Sequence, residues 1–268
     1  MALFSNTQQV VRHYVSNAVG DLISGVCGTT GADTTHTYAP FLWEPDDYFN
    51  DHYFEVYVYQ GTNIGLTRQV TDWVLSTYLL TVHSAYPAAC DATSYIELHR
   101  IFSTDDYNKA INLAIESIKP FYLIDSIDVT TVLVADTYEY TLPVDFVYVH
   151  KITTENAVDD GKFYDSAIID NRDWSLISSR KLKLDRARYS PTAGKDLRIE
   201  GHKVQSTLSA DTGICYLPTD YIVNKAITFL PQEKIQANAL RETYGRALAM
   251  SARIPFNPAN GFSRRVIE

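Results

Sequence analysis

The sequence has little cysteine and no long apolar run. Its three cysteines, Cys27, Cys90 and Cys215, are widely spaced, no C-x-x-C occurs, and none stands near a histidine at zinc-ligand spacing. We therefore expect free, buried thiols in a reducing compartment rather than a disulfide framework. No stretch approaches the roughly 20 apolar residues that span a bilayer. Residues 1–6 lack the basic and apolar regions of a signal peptide, so we expect neither a membrane segment nor a secreted protein.

Signatures of catalysis are missing as well. There is no G-x-S-x-G, P-loop, G-x-G-x-x-G or H-E-x-x-H, and the seven histidines never pair at i,i+2 or i,i+4. His52 near Asp46, Asp47 and Asp51 has the ligand types of a divalent-cation site, but the same run fits a solvated acidic loop. A hydrolase that uses Asp46 and Asp47 is the weakest alternative. We predict no catalytic residue, no metal site and no cofactor, and hence a protein that is not an enzyme.

Positive charge is scarce in the first part of the chain. The net charge is −9, and residues 1–100 hold ten acidic side chains against three arginines, with Lys109 the first lysine. Residues 241–268 reverse this balance, with five arginines against two glutamates. An acidic body argues against broad, tight binding of nucleic acid, which needs a basic face. The basic stretch suits an acidic protein partner, or simply a solvated surface.

Tyrosine, by contrast, is abundant, with 19 copies against 2 methionines, which indicates β-surfaces and contact faces. Residues 7–24 place valines at near-helical spacing, and residues 38–102 alternate as short strands typical of a small sandwich or barrel. The aromatic run in this β-region predicts a contact surface made by Tyr53, Tyr57 and Tyr59. Because almost no Lys or Arg is nearby, sheet packing or subunit contact is favoured over nucleic acid.

The clearest helix begins after Ser103, where Asp106 completes a capping box with Asp in place of Glu. An apolar stripe follows, made of Tyr107, Ala110, Ile111, Ala114, Ile115 and Ile118. Pro120 ends it. Strand patterns then return from residue 127 to about 204, and helices are predicted over about 219–230 and 233–253. Residues 255–268 have two prolines, a glycine and no periodicity, which predicts an extended C-terminal tail.

The motif Leu-Pro-x-Asp-aromatic occurs twice. Proline fixes φ and holds the residue before it extended, while aspartate can accept bonds from nearby backbone N–H groups. We therefore interpret Pro143 and Asp145 in the first copy, and Pro218 and Asp220 in the second, as structural turn residues. The first copy introduces an alternating run and the second a helical pattern, so the two bracket a β-rich section between helices.

These patterns predict an α+β protein in which a helical bundle carries a β-sandwich or barrel domain, with an additional inserted all-β module and an extended C-terminal tail. Four parts are predicted: an N-terminal helix within 1–30 that joins the helical body, an inserted β-module at 31–103, a body at 104–254 with a helix, a β-domain and two C-terminal helices, and the tail at 255–268.

The order of parts resembles that of the head–tail connector (adaptor, or neck) proteins of tailed bacteriophages. The resemblance is carried by Asp-Asp-Tyr-Asn-Lys-Ala-Ile-Asn-Leu-Ala-Ile at 105–115 and by Tyr-Glu-Tyr-Thr-Leu-Pro-Val-Asp-Phe-Val-Tyr-Val-His-Lys-Ile at 138–152. Trp174, Leu197-Arg-Ile199, the second Leu-Pro and the terminal helices and tail complete it. It covers roughly residues 104–268 and the first helix. Residues 38–102 depart from the pattern and look like modules of other phage structural proteins.

The resemblance implies a structural virion protein of the neck, assembled in the host cytoplasm. It would form a ring of copies of itself, typically a dodecamer, between the portal protein and a tail or other neck protein. DNA would cross the lumen without specific binding, which an acidic subunit favours, and no membrane is involved. The tail would dock on the portal through Pro255, Phe256, Asn257, Pro258, Phe262, Arg264 and Arg265. The alternative is a collar, tail-fibre or baseplate attachment protein that binds a partner or glycan through its β-module.

Overall fold

The computed structural model describes residues 5–29, 33–259 and 261–267. Residues 1–4 and 30–32 of the predicted N-terminal part and β-module, and residues 260 and 268 of the predicted tail, lie outside the described residues. The described chain forms two compact units, each assembled from stretches that are distant in sequence. Unit 1 contains residues 118–206 and 255–267, and unit 2 contains residues 5–117 and 207–254. The four-part division drawn from the sequence stays a prediction.

The described residues form six α-helices and fifteen strands, most of them short. The helices are α1 Gln8–Ala18, α2 Tyr48–Asp51, α3 Thr104–Ile118, α4 Thr219–Phe229, α5 Gln232–Ala237 and α6 Arg241–Met250, and a 3₁₀ turn covers Asp165–Ala167. The strands are β1 Asn6–Thr7, β2 Ile23–Val26, β3 His36–Tyr38, β4 Glu55–Gln60, β5 Thr67–Val74, β6 Leu79–Val82, β7 Tyr95–His99, β8 Ile124–Val132, β9 Glu139–Thr141, β10 Phe146–Thr154, β11 Trp174–Ile177, β12 Lys181–Leu184, β13 Asp196–Lys203, β14 Ile214–Cys215 and β15 Arg264–Arg265.

Unit 2 is organised around a six-stranded antiparallel sheet in the order β2-β7-β4-β5-β6-β3. Its core lies on the face that carries Val56, Val58, Trp73 and Leu80, all fully buried. The short α2 closes this core, since the Phe49 ring meets that of Trp73 edge-on at 5.4 Å between centroids. Burial of aromatic and aliphatic side chains on this scale supplies most of the stabilisation of such a sheet.

The predicted helix after Ser103 is confirmed as α3. Ser103 Oγ accepts a hydrogen bond from the Asp106 backbone N–H at 3.1 Å, and the Asp106 carboxylate accepts one from the Ser103 backbone N–H at 3.0 Å. This is the reciprocal capping box that the sequence predicted. All six residues of the apolar stripe are buried, at 0–1% exposure. Local signals and burial therefore agree along this helix.

The expected helical bundle is wrong. Strand accounts for 30% of the described residues and helix for 23%, and several antiparallel sheets form the architecture. Helices α2 and α5 are only 4 and 6 residues long, too short to supply a bundle. The single helix predicted at 233–253 is broken into α5 and α6, where Ala239 has a left-handed φ of 57° that interrupts the helical ladder.

Unit 1 contains a four-stranded antiparallel sheet in the order β15-β10-β13-β8 and a three-stranded one in the order β11-β12-β9. Their side chains share one apolar core, which includes Val149, Ile152, Leu182 and Leu197. Gly201 on β13 allows the backbones to approach closely, because a Cβ there would stand 2.0 Å from the carbonyl oxygen of Tyr148.

The stretch predicted as an extended tail is an edge of the unit 1 sheet. β15 pairs antiparallel with β10, in the register Tyr148↔Arg265 and Val149↔Arg264. The next residue, Val266, is buried in the core of unit 1 and its backbone N–H donates to the carbonyl of Val147 at 2.8 Å. No short-range periodicity marks a two-residue strand, because the ladder that forms it comes from residues more than 100 positions earlier.

Candidate interaction surfaces

Arg264 is one of the residues that hold segment 255–267 on unit 1. The Arg264 guanidinium lies over the ring of Trp174, 4.3 Å from its centroid, and donates hydrogen bonds to the backbone carbonyls of Trp174 and Asn171. A planar guanidinium suits both contacts, since it stacks on an aromatic face while its N–H groups reach acceptors at its edge. Of the two arginines predicted to dock on the portal, Arg264 thus already has partners within unit 1, whereas Arg265 is exposed.

The same segment has a second anchor and two exposed aromatic rings. The Asn257 backbone bonds to Phe121 and Leu123, and its side-chain amide donates to the Leu123 carbonyl at 2.6 Å. Phe256 and Phe262, by contrast, are 71% and 81% exposed. Pro255 and Pro258 are partly exposed and exposed, respectively. The predicted docking residues therefore divide into residues anchored to unit 1 and residues with exposed side chains.

The three tyrosines predicted as a contact surface do not lie together on the outside of unit 2. Tyr57 is buried at 8% exposure, and its hydroxyl donates to the Asp211 carboxylate at 2.8 Å. Tyr59 is half-buried, with its ring edge-on to His13 at 4.9 Å. Tyr53 alone of the three projects outward, at 79% exposure. Their contact role stays a prediction, and the structure assigns the outward position to Tyr53.

Tyr53 ends an acidic stretch, residues 43–53, which includes α2 and which we call the acidic loop. It holds Glu44, Asp46, Asp47 and Asp51 and no lysine or arginine. Trp43 at its other end is 71% exposed. The loop is held in place, since the Asp46 carboxylate accepts the Leu75 backbone N–H at 2.7 Å and the Glu44 carbonyl accepts the Trp73 indole N–H at 2.9 Å. Unit 2 therefore presents two large aromatic rings and a run of carboxylates from an ordered loop.

A second exposed surface of unit 2 belongs to α6 and the residues after it. We call it the α6 surface, made of Arg241, Arg246, Leu248, Met250, Arg253 and Ile254. All six side chains belong to exposed residues, with Met250 63% and Leu248 52% exposed. Only Ala247 of α6 is buried. Three arginines against Glu242 make this surface basic as well as apolar.

The four turn residues lie where the two Leu-Pro motifs predicted. In the first copy, the Pro143 carbonyl accepts the Phe146 backbone N–H at 3.3 Å, and Asp145 is exposed just before β10. In the second, Pro218 precedes α4 and accepts the Ile222 backbone N–H at 3.0 Å, while Asp220 lies in the first helical turn. An acidic residue there interacts favourably with the helix dipole. Both motifs act as local structure.

Unit 2 contains a buried ionic cluster that the sequence patterns did not predict. Arg12 of α1 is fully buried, with its Nε 2.5 Å from the Glu97 carboxylate and its two terminal nitrogens 2.5 and 3.0 Å from that of Asp211. Asn108 accepts a further bond from Arg12 at 3.1 Å. Such a bidentate pair is strong in a buried setting, provided that every partner is present. The cluster joins α1 to β7, α3 and the 207–213 stretch.

Glu97 is charged at the centre of this cluster. Burial alone raises its pKa, but hydrogen bonds from His13 and His99 and the positive charge of Arg12 outweigh burial and lower the pKa to about 2. The contacts are 2.5 Å from His13 Nε2 and 3.5 Å from His99 Nε2. A carboxylate held this firmly in its charged form is poorly suited to donate or accept a proton near neutral pH. The geometry fits a structural role.

A second buried carboxylate, Asp21, orders the chain just before α3. Its oxygens accept the backbone N–H groups of Arg100, Ile101 and Phe102 at 2.8–2.9 Å and the Tyr107 hydroxyl at 2.8 Å. Burial and the nearby charge of Asp21 raise the pKa of Tyr107. Four donors satisfy the buried charge, so Asp21 links the end of α1 to the start of α3.

Within the described ranges, no group of three or more His, Cys, Asp and Glu side chains is placed to hold a metal ion. The His52 ring is directed to the Tyr48 carbonyl, 2.7 Å from Nδ1. All three cysteines are buried thiols outside any disulfide, as the sequence predicted. None of the helices in the described part of the chain has the length and apolar character needed to cross a membrane.

Comparison of the chain with models of protein families returns no match, and comparison with curated proteins returns no significant match. The exposed surfaces are therefore interpreted from their own chemistry.

One sequence signal for the buried cluster did exist: Arg12 is the only positive charge in the first 67 residues other than the chain's amino group and histidines. A single arginine in an acidic stretch is a candidate for internal pairing, but its partners cannot be identified from local spacing.

Proposed function

We propose that this chain is a structural virion protein of the neck of a tailed bacteriophage, a head–tail connector that forms a ring between portal and tail. The proposal rests most on segment 255–267, which is anchored through Asn257 and Arg264 and leaves the rings of Phe256 and Phe262 exposed. Ordered, exposed aromatic side chains are typical of protein–protein contact sites. The element order that resembles connector proteins supplies the class of partner, a portal.

The charge of the chain supports passage of DNA rather than its retention. A net charge of −9 repels phosphates, so a ring of such subunits releases few counterions and binds DNA weakly. The proposal does not depend on the helical bundle that the resemblance implied, since ring formation requires complementary faces rather than one particular fold.

Electron microscopy of the purified full-length chain, alone and mixed with a portal protein, tests the proposal. We expect closed rings with a central channel that sit coaxially on the portal. Particles that stay monomeric under both conditions would overturn it, and threefold or sixfold assemblies that ignore the portal would favour the alternative below.

Point variants test the docking segment more cleanly than its deletion, because removing residues 255–267 would also remove β15 and the buried Val266. Phe256→Ala with Phe262→Ala should weaken association with the portal by about tenfold or more while leaving thermal unfolding unchanged. Val144→Ala, which truncates an exposed apolar side chain of unit 1 outside this segment, is the matched control. Portal association equal to that of the control would contradict the assigned role.

The alternative is a collar, tail-fibre or baseplate attachment protein that binds a partner or glycan through its β-module. The exposed rings of Trp43 and Tyr53 favour it, because sugars stack on exposed aromatic faces. A glycan array probed with the full-length chain and with Trp43→Ala tests it. Binding that disappears in the variant would support this alternative over the connector.

A further inference from the structure

We infer that unit 2 carries both halves of a head-to-tail contact between copies of this chain, with the α6 surface of one copy bound to the acidic loop of the next. The inference rests on the proposed ring and adds to it the two surfaces that make the subunit contact. A ring needs two different, complementary faces on each subunit, since a heterologous contact closes only when each copy presents both.

The two surfaces are complementary in charge. The α6 surface contributes three arginines, and the Arg246 side chain is 73% exposed. The acidic loop contributes four carboxylates and no lysine or arginine. Opposed patches of this kind steer encounter and fix register, whereas contact between two copies of either surface would juxtapose like charges. Charge therefore favours loop-to-helix pairing over symmetric pairing of identical surfaces.

Both surfaces also offer exposed apolar groups beside the charged residues. Leu248, Met250 and Ile254 belong to the same surface as the arginines, and Trp43 and Tyr53 flank the carboxylates. Protein interfaces combine apolar and charged contacts in this way, with aromatic residues, methionine and arginine enriched. Methionine adapts its shape to an aromatic partner and makes favourable sulfur–ring contacts, which suits Met250 against Trp43 or Tyr53.

The surfaces belong to different parts of unit 2, so one copy is able to engage two neighbours. Helix α6 packs on α4, and α4 packs on α1. Helix α1 in turn reaches the sheet through Arg12 and Glu97 on β7. The acidic loop instead packs over β5, where Phe49 meets Trp73. The loop backbone is also ordered before any contact forms, which lowers the entropy lost on association.

Two charge variants of the full-length chain test the inference. The α6 variant is Arg246→Glu with Arg253→Glu, which breaks only the exposed Arg246–Glu242 ion pair at 3.6 Å within unit 2. The loop variant is Asp47→Asn with Asp51→Lys, where Asn suits the left-handed backbone of Asp47 (φ 64°). Lys109→Glu on the exposed side of α3 is the matched control for reversal of charge.

Mass photometry and light scattering across a concentration series supply the readout, with circular dichroism to verify folding. We expect each variant to raise the concentration of half-assembly by about tenfold or more, and the control to leave it unchanged. The α6 variant mixed with the loop variant should stop at one-to-one dimers, because each retains one intact half of the contact.

Four outcomes would overturn the inference. If the wild-type chain forms rings and both variants do so equally well, the proposed ring is retained, but the α6 surface and the acidic loop do not form its subunit contact. If the mixed variants yield no dimer although both are folded, the two surfaces do not bind each other. If the wild-type chain is monomeric alone and with portal, both the contact and the proposed ring fail. A loop variant that loses glycan binding without any change in assembly also counts against the contact.

Discussion

Each unit of this protein uses one arginine to hold a distant stretch of chain, but the two arginines act in different surroundings. Arg12 in unit 2 is fully buried and pairs with the carboxylates of Glu97 and Asp211. Arg264 in unit 1 is partly exposed and contacts an aromatic face and two backbone carbonyls. The first contact balances charges that water does not reach, and the second adds contacts to groups that are neutral. Removal of the arginine side chain should therefore lower the free energy of unfolding by different amounts at the two positions.

The comparison predicts the largest effect for Arg12→Ala. The change leaves the carboxylates of Glu97 and Asp211 buried without their cation, so we expect the free energy of unfolding to fall by about 3–5 kcal/mol. Urea denaturation followed by tryptophan fluorescence and circular dichroism measures it. Arg100→Ala, at an exposed position of the same unit, should cost less than about 0.5 kcal/mol. A loss for Arg12→Ala as small as that of Arg100→Ala would show that the cluster contributes little.

Acid should act on the same cluster with a smaller, gradual effect. The pKa of Glu97 is about 2 in the folded chain, against 4.5 for an ordinary glutamate. As pH falls, the unfolded state therefore takes up the proton first, and the stabilisation is lost between about pH 4.5 and pH 2. It is fully present above that window. Denaturation midpoints between pH 7 and pH 2 measure the effect.

Glu97→Gln is the comparison for the acid series. It removes the titrating group, so its stability should depend less steeply on pH in that window than that of the wild-type chain. Equal slopes would assign the acid sensitivity to other carboxylates.

The smallest effect is expected for Arg264→Ala. The change removes a cation–π contact and two hydrogen bonds from a partly exposed side chain, at a cost of about 1–2 kcal/mol. No buried charge remains behind. Hydrogen exchange should increase in β15 and in residues 146–149 of β10, with unit 2 unaffected. Arg265→Ala on the same strand is the matched control. Equal hydrogen exchange in the two variants would show that Arg264 does not hold β15 in place more than its neighbour does.

The parts of the fold that sequence predicted are those defined by local patterns. The stripe of α3 and its capping box depend on residues three and four apart, and both are confirmed. β10 begins shortly after Pro143 and α4 directly after Pro218, so both elements start where the motif predicted.

The parts that sequence missed depend on contacts between distant residues. Arg12 is 85 residues from Glu97 and 199 from Asp211, and on its own it is only one polar residue in an amphipathic helix. β15 is a two-residue strand whose existence depends on β10. The prediction of a helical bundle was wrong because helical periodicity identifies the buried face of a helix, but it does not show whether a helix or a sheet packs against that face. Tyr57 and Tyr59 were expected on an exposed face because they alternate with the apolar Val56 and Val58. Alternation separates the two faces of a strand, but it does not tell whether the second face is solvated or also covered.

The position of β15 along the chain has a consequence for synthesis on the ribosome. β10 and β13 are translated about 60 to 120 residues before Arg264 and Arg265, so the β10 edge that β15 covers stays bare while the intervening residues emerge. An uncovered strand edge is a template for pairing with another nascent chain. A chain halted before Arg264 would therefore keep this edge of β10 open to pairing with another chain, and completion of β15 removes it.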